Sequence, residues 1–161
     1  MDSYFKSVVY GGTDGIITIF NIISGITGAK LNMRVAIILS LSVLISDAVS
    51  MAFSDYSSTR VDRKLGYTQN DEVKSGVITF VSFILFGLIP LSLFLLMSYY
   101  NPKNAFIFSL IAVMVSLFIL GAIKSKYNKE NMTYSGLWTA SYGFIASMIS
   151  FLIGNYMSKI F

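Results

Sequence analysis

Five long apolar runs separated by short polar stretches set the pattern of this chain, at residues 11–29, 35–58, 75–97, 105–123 and 134–157. Crossing the hydrocarbon core of a bilayer takes about 20 apolar residues in a helix, and each run is near or beyond that length. The runs are continuous, whereas membrane barrel strands alternate over about ten residues, so the pattern predicts helices. The expected fold class is all-α, a polytopic membrane protein of five transmembrane helices in one domain, 1–161. Polar residues between the runs supply the stops and starts. Asn32 is expected to cap the second helix, Asn101-Pro102 to open the fourth and Thr133 to cap the fifth, while Asn70 precedes an acidic first turn, Asp71-Glu72.

Composition agrees with a membrane protein. Of 161 residues, 55% are hydrophobic and only 12% charged, and the mean hydropathy is +0.69, more apolar surface than a soluble domain of this size can bury. Cysteine and histidine are both absent, which removes disulfides, thiolate and imidazole ligands and every catalytic scheme that needs them. A cleavable signal peptide is not expected, because Asp2 precedes the early basic residue Lys6 and Asp14 interrupts the first apolar run. Short cytoplasmic loops collect basic residues. With the N-terminus inside, Lys6, Arg60, Arg63, Lys64, Lys74, Lys124, Lys126 and Lys129 are cytoplasmic against Lys30, Arg34, Lys103 and Lys159 outside. That favours a cytoplasmic N-terminus and a C-terminus on the opposite side. The formal net charge of +4 is then the ordinary bias of a protein next to lipid phosphates, and no nucleic-acid partner is expected.

Three aspartates stand in this apolar background, Asp14 in the first run and Asp47 and Asp55 in the second. Ionisable groups are costly in a bilayer and usually mark a pathway or a paired site. On a helix, Asp47, Met51 and Asp55 fall within about an 80° arc of one face, with Ser40, Ser54 and Ser58 close to it and Ser50 beside Met51. In the first run Asp14, Thr18, Asn21, Gly25 and Gly28 follow the same spacing and form a second polar face, partly lined by glycine. A short turn around residues 30–33 makes the two helices antiparallel. Reflection through that turn places Asp14 near residues 49 and 50, a level bracketed by Asp47 and Met51. The expected metal-binding set is therefore Asp14, Asp47 and Met51. Asp55 lies about 12 Å further along the axis as an entrance, and Thr18, Asn21, Ser50, Ser54 and Ser58 line the path.

Paired carboxylates with hydroxyl and amide oxygens suit a hard divalent cation, and a thioether adds a softness that magnesium and calcium do not favour. Ferrous or manganous ions fit best. Metal binding needs ionised carboxylates, while a low dielectric favours their neutral form, so metal and proton compete for the same oxygens. That competition is the minimal physics of a metal/proton antiporter. The alternative keeps the aspartates as structural hydrogen-bond acceptors between helices, with Met51 as packing and Asp55 at a solvated helix end.

The segments YGGTDGIIT at 10–18 and FNIISGITGA at 20–29 resemble the first span of the vacuolar iron transporter family, which includes yeast iron/manganese transporters and plant nodulin-like members. SDAVSMAFSDYSS at 46–58 is similar to that family's second span, and VITFVSFILFGLIPL at 77–91 to its third. The resemblance implies a homodimeric five-helix transporter that exports ferrous iron or manganese from the cytosol in exchange for protons. The destination is a vacuole or other acidic endomembrane compartment in a eukaryote, or the outside of the plasma membrane in a prokaryote. It also implies a pathway at the dimer interface lined by the first two spans, with the family's aspartate on Asp14 and its methionine on Met51. Two departures stand out. Plant-type members insert a glutamate-rich cytoplasmic helical domain between spans two and three, where this chain has only residues 59–74 with Asp62, Asp71 and Glu72; and a glutamate found one turn before Asp47 in some members is Val43 here.

The third and fourth runs carry no charge and are expected to face lipid and brace the first pair, with Pro90 a candidate hinge. Small residues recur at Gly136, Ala140, Gly143 and Ser147, and again at Gly11 to Gly15 and Ser24 to Gly28, which suits close packing within the chain or in a dimer. Tyr99, Tyr100, Tyr134, Trp138 and Tyr142 fall at expected interfaces as anchoring aromatics. Three function classes follow: a divalent-metal transporter with no permanent cofactor, an intramembrane enzyme for which a second catalytic partner is missing, and a non-catalytic membrane-organising protein.

Overall fold

Side chains that satisfy the free N–H groups of a first turn decide where three of the helices start. The computed structural model describes residues 4–101 and 103–160, the side chain of Asn128 excepted, so Asp2 and Pro102 lie outside the described residues. Five helices make up the fold: α1 (Phe5–Gly28), α2 (Met33–Lys64), α3 (Glu72–Tyr100), α4 (Ala105–Asn128) and α5 (Met132–Met157), and there is no strand among the described residues. All five are long and apolar enough to cross a membrane. Asn32 caps α2 by accepting from Val35 N–H at 3.0 Å, as its position in the sequence predicts.

Elsewhere the caps shift by a residue or two. Asp71 itself caps α3, accepting from Lys74 N–H at 2.9 Å, and leaves Glu72 as the acidic residue of the first turn. Asn131 rather than Thr133 caps α5, accepting from the N–H groups of Thr133 and Tyr134 at 2.9 and 3.3 Å. An amide oxygen at the position before the first helical residue reaches two donors, whereas Thr133 is already inside the turn. Asn101 ends α3, and α4 starts after Asn104 without a side-chain cap. Between α2 and α3 the chain reverses through Gly66, whose φ of +77° suits a residue without Cβ.

α2 has 32 residues, about 48 Å at 1.5 Å per residue, well beyond a hydrocarbon core of about 30 Å. Its polar end therefore projects past the membrane. There Arg63 Nη1 meets Glu72 Oε2 at 2.7 Å, and Tyr4 Oη accepts from Asp71 N–H at 3.1 Å, fastening the α2–α3 loop to both neighbours.

α1 is the centre of the bundle. In lipid, helices associate by close packing rather than by escape from water, so small residues decide which faces meet. Gly11 and Gly15 lie against the α3 backbone; a Cβ on Gly11 would stand 2.7 Å from the Thr79 carbonyl oxygen, and one on Gly15 would run into that of Phe83. Gly28 abuts the Phe151 carbonyl of α5, and Gly154 returns the contact against Gly25. Gly136 and Gly143 press on Phe118 and Leu117 of α4. The small-residue stripes of α1 and α5 are thus used inside the chain. Ile16, Ile19, Phe20 and Ile23 form a buried core with Leu44 and Ala48 of α2, Phe83 and Leu91 of α3, and Val113, Leu117 and Leu120 of α4.

Two expectations change. α1 packs chiefly on α3 and α5 and only sparsely on α2, and Gly25 and Gly28, expected as hinge or packing residues, pack against α5. α3 is not simply a lipid-facing brace, since Ser75, Gly76, Thr79, Ser82, Phe83 and Gly87 are buried along it. Pro90 lies buried inside an unbroken α3 and accepts from Ser109 Oγ of α4 through its carbonyl at 3.1 Å, tying the two helices together. Tyr99, Tyr100, Tyr134, Trp138 and Tyr142 are all exposed at the helix ends or flanks.

Candidate functional site

The three aspartates occupy two different environments. Asp14 on α1 and Asp47 on α2 are both half-buried, and their carboxylates are near enough for their charges to interact. Ser46 Oγ donates to Asp47 Oδ1 at 3.4 Å. Met51, one turn on from Asp47, is half-buried against the apolar core. Two helices that touch only sparsely therefore still bring two carboxylates within electrostatic reach, and Asp14 also forms part of the wall of a cavity of about 580 Å³ between α1, α4 and α5.

Asp55 is held differently. Its Oδ2 accepts from Thr79 Oγ1 at 2.6 Å, Ser7 Oγ at 2.7 Å and Ser75 Oγ at 2.8 Å, hydroxyls supplied by α3 and α1. Thr59 Oγ1 donates to Ser75 Oγ at 3.1 Å, and the Ser7 and Ser75 hydroxyls lie 2.8 Å apart. One carboxylate oxygen thus joins three helices through side chains that are almost wholly buried. It also borders a polar cavity of about 290 Å³ under the α2–α3 loop, together with Asp62, Thr68 and Asn70. Asp55, expected as an entrance residue, is held in a knot of hydrogen bonds at the edge of a polar recess. The hydroxyl partners escaped the sequence reading, although Ser75, Thr79 and Ser82 repeat at helical spacing in a run that otherwise reads as quiet.

The remaining polar residues spread out. Thr18 is half-buried, while Ser50, Ser54 and Ser58 are exposed. With Ser42 and Ser46 they form an open row of hydroxyls at every fourth residue of α2. Asn21 Oδ1 and Ser40 Oγ are buried without a hydrogen-bond partner, and the Asn21 carbonyl accepts from Ser150 Oγ of α5 at 2.6 Å. Among the described residues no group of three or more acidic, histidine or cysteine side chains gathers in a way that could hold a metal ion.

Long apolar helices around a few half-buried carboxylates define an integral membrane protein with an intramembrane polar site. Comparison with known proteins narrows the class: the profile of the VIT family matches residues 5–69 and 61–155, and the chain belongs to that family. It is similar to a vacuolar iron transporter of Plasmodium falciparum (isolate 3D7), with 27% identity over 92% of this chain and 80% of the relative. Proteins of the same name from Plasmodium berghei (strain Anka) and Toxoplasma gondii (strain ATCC 50861 / VEG) are 26% and 24% identical, over 94% and 98% of this chain and 81% and 75% of theirs. The first of these alignments runs over 219 positions although this chain has 161 residues, so the relative carries residues that this chain lacks. No solved structure gives a significant match.

Proposed function

We propose that this protein carries ferrous or manganous ions out of the cytosol in exchange for protons, with Asp14, Asp47 and Met51 as the groups that meet the metal. One observation carries the reading: two carboxylates on different membrane-spanning helices stand within each other's electrostatic reach, in a family whose named relatives are vacuolar iron transporters. An ion between them is favoured because it relieves their repulsion, and protons relieve it equally, so the two cargoes exclude one another. The metal enters as substrate; no permanent cofactor and no chemical conversion of a substrate belong to the reading. Its destination is an acidic compartment in a eukaryotic cell or the cell exterior in a prokaryote.

The reading includes a homodimer. One chain offers two carboxylates and one thioether, fewer donors than a divalent ion of this kind takes. A second copy related by two-fold symmetry doubles the set. The exposed hydroxyl row of α2, from Ser42 to Ser58, offers a surface on which such helices approach closely.

The test is flux into liposomes with an acidic lumen, following iron and manganese entry and proton exit together. Asp14→Asn preserves shape and hydrogen bonding but removes a charge, and is expected to abolish both coupled fluxes in a protein that remains folded. Metal entry unchanged in Asp14→Asn, or metal entry indifferent to the proton gradient, would count against the assignment. A folded wild type without any metal flux would favour the membrane-organising alternative.

A further inference from the structure

The cavity of about 580 Å³ between α1, α4 and α5 has Asp14 in its wall, but most of its lining comes from side chains to which the proposed metal path gives no part. Its walls are mainly aliphatic and aromatic, with Val9, Ile17, Tyr10 and Tyr142 among them, and two lysines line it, Lys6 on the first turn of α1 and Lys124 near the end of α4. Both lysines are exposed. Lys124 makes no ion pair among the described residues, and Lys6 also borders the polar recess that holds Asp55 and Asp62. Phe5 and Tyr127 stack at 3.7 Å between ring centres and close the cavity at the same end of the bundle. Tyr10 and Tyr142 flank it, 53% and 64% exposed, with amphipathic rings of the kind that settle at headgroup depth.

Two positive charges at a mouth repel a divalent cation, so the recess is a poor entrance for metal. They attract a phosphate, and an apolar slot running inward beneath them suits a hydrocarbon chain rather than a soluble anion. We propose that this cavity binds one anionic phospholipid, its phosphate between Lys6 and Lys124 and an acyl chain against Val9, Ile17 and Gly121. The polar groups of the walls, Thr13, Thr139 and Asp14, lie along the same recess, and the Asp14 carboxylate opposes a phosphate placed deeper than the lysines. The headgroup therefore stays at the rim. The site shares Asp14 with the proposed metal set, but its test reads lipid retention and does not depend on which cargo is carried.

The test is lipid retention by the full chain, reconstituted in vesicles of equal parts phosphatidylcholine and phosphatidylglycerol and read by native mass spectrometry after extraction. Wild type is expected to retain one phosphatidylglycerol per chain in preference to phosphatidylcholine. The double variant Lys6→Gln with Lys124→Gln is expected to bind it about 30-fold more weakly, two lysine contributions taken together. Lys126→Gln with Lys129→Gln removes the same charge at the same end of the bundle but outside the cavity, and is expected to keep the lipid. Equal retention of the two lipids by wild type, unchanged retention in the Lys6 and Lys124 variant, or equal loss in both variants would overturn the proposal. Loss of a chain-to-chain complex without loss of lipid in the Lys6 and Lys124 variant would assign the surface to a second copy and overturn it too. Because the lysines are exposed, folding is not at stake; Val9→Trp, which fills the slot and spares the charges, is expected to displace the lipid as well.

Discussion

Removing the Asp55 carboxylate tests whether this residue fastens the bundle or belongs to a pathway. Asp55→Ala deletes an oxygen that takes three hydrogen bonds at 2.6 to 2.8 Å from Thr79, Ser7 and Ser75. Interhelical hydrogen bonds in membranes are worth about 0.6 kcal/mol each on average, which puts a floor near 2 kcal/mol under three of them. Bonds to a charged acceptor reach about 1.5–3 kcal/mol each, but these share one oxygen and are not additive, so the loss is expected to stay below about 5 kcal/mol. Two hydroxyl contacts survive the deletion, Ser7 with Ser75 and Thr59 with Ser75, while Thr79, itself without exposed surface, loses its partner. Asp55→Asn retains one accepting oxygen and is expected to cost about half as much. The chain has one tryptophan and no cysteine, so unfolding in detergent is followed by circular dichroism or Trp138 emission rather than by thiol dyes. If Asp55→Ala is as stable as wild type the reasoning is wrong, and equal stability together with lost metal flux would move Asp55 into the pathway.

Three further substitutions probe the packing, the α2–α3 turn and the cargo site. Gly15→Ala forces a methyl group into the Phe83 carbonyl of α3, backbone that cannot rotate away, and is expected to lower stability by about 1–3 kcal/mol in the same unfolding assay; Gly66→Ala, at φ +77° with no atom within 4 Å, is expected to cost about 1 kcal/mol from backbone strain alone. Met51→Ala removes the thioether at the edge of the core and is expected to reduce iron and manganese flux several-fold while the protein stays folded, and flux unchanged in rate and selectivity would remove Met51 from the site.

The number of helices and their order were legible in the sequence, because a run of about 20 apolar residues has one low-energy arrangement in a bilayer and the backbone must satisfy itself within each run; the limits were less so, since α1 starts at Phe5 rather than residue 11, α2 runs to Lys64 rather than residue 58 and α4 to Asn128 rather than residue 123. The same cost argument singled out Asp14, Asp47 and Asp55, since a charge in lipid is conspicuous whatever surrounds it. Cap positions were less secure: an Asn or Asp one residue either way serves equally, and only backbone geometry chose Asp71 and Asn131.

Which helices touch was left to the tertiary structure. Periodicity shows that α1 has a small-residue face and α2 a polar one, but in lipid any small face can receive any neighbour. The α1 glycines met the α3 and α5 backbones rather than α2, so the packing expected of Gly25 and Gly28 is made against α5. For the same reason Asp55 could not be recognised as a knot from its own helix, since its partners Ser7, Ser75 and Thr79 come from α1 and α3, and hydroxyls pass unremarked in an apolar run. The sequence by itself thus determined that this is a five-helix membrane protein with rare half-buried carboxylates, because hydrophobic length and the cost of charge act on each segment alone; the tertiary structure decided which of those carboxylates lie within electrostatic reach of one another, which is clamped and where a cavity opens, because these depend on contacts between segments far apart along the chain.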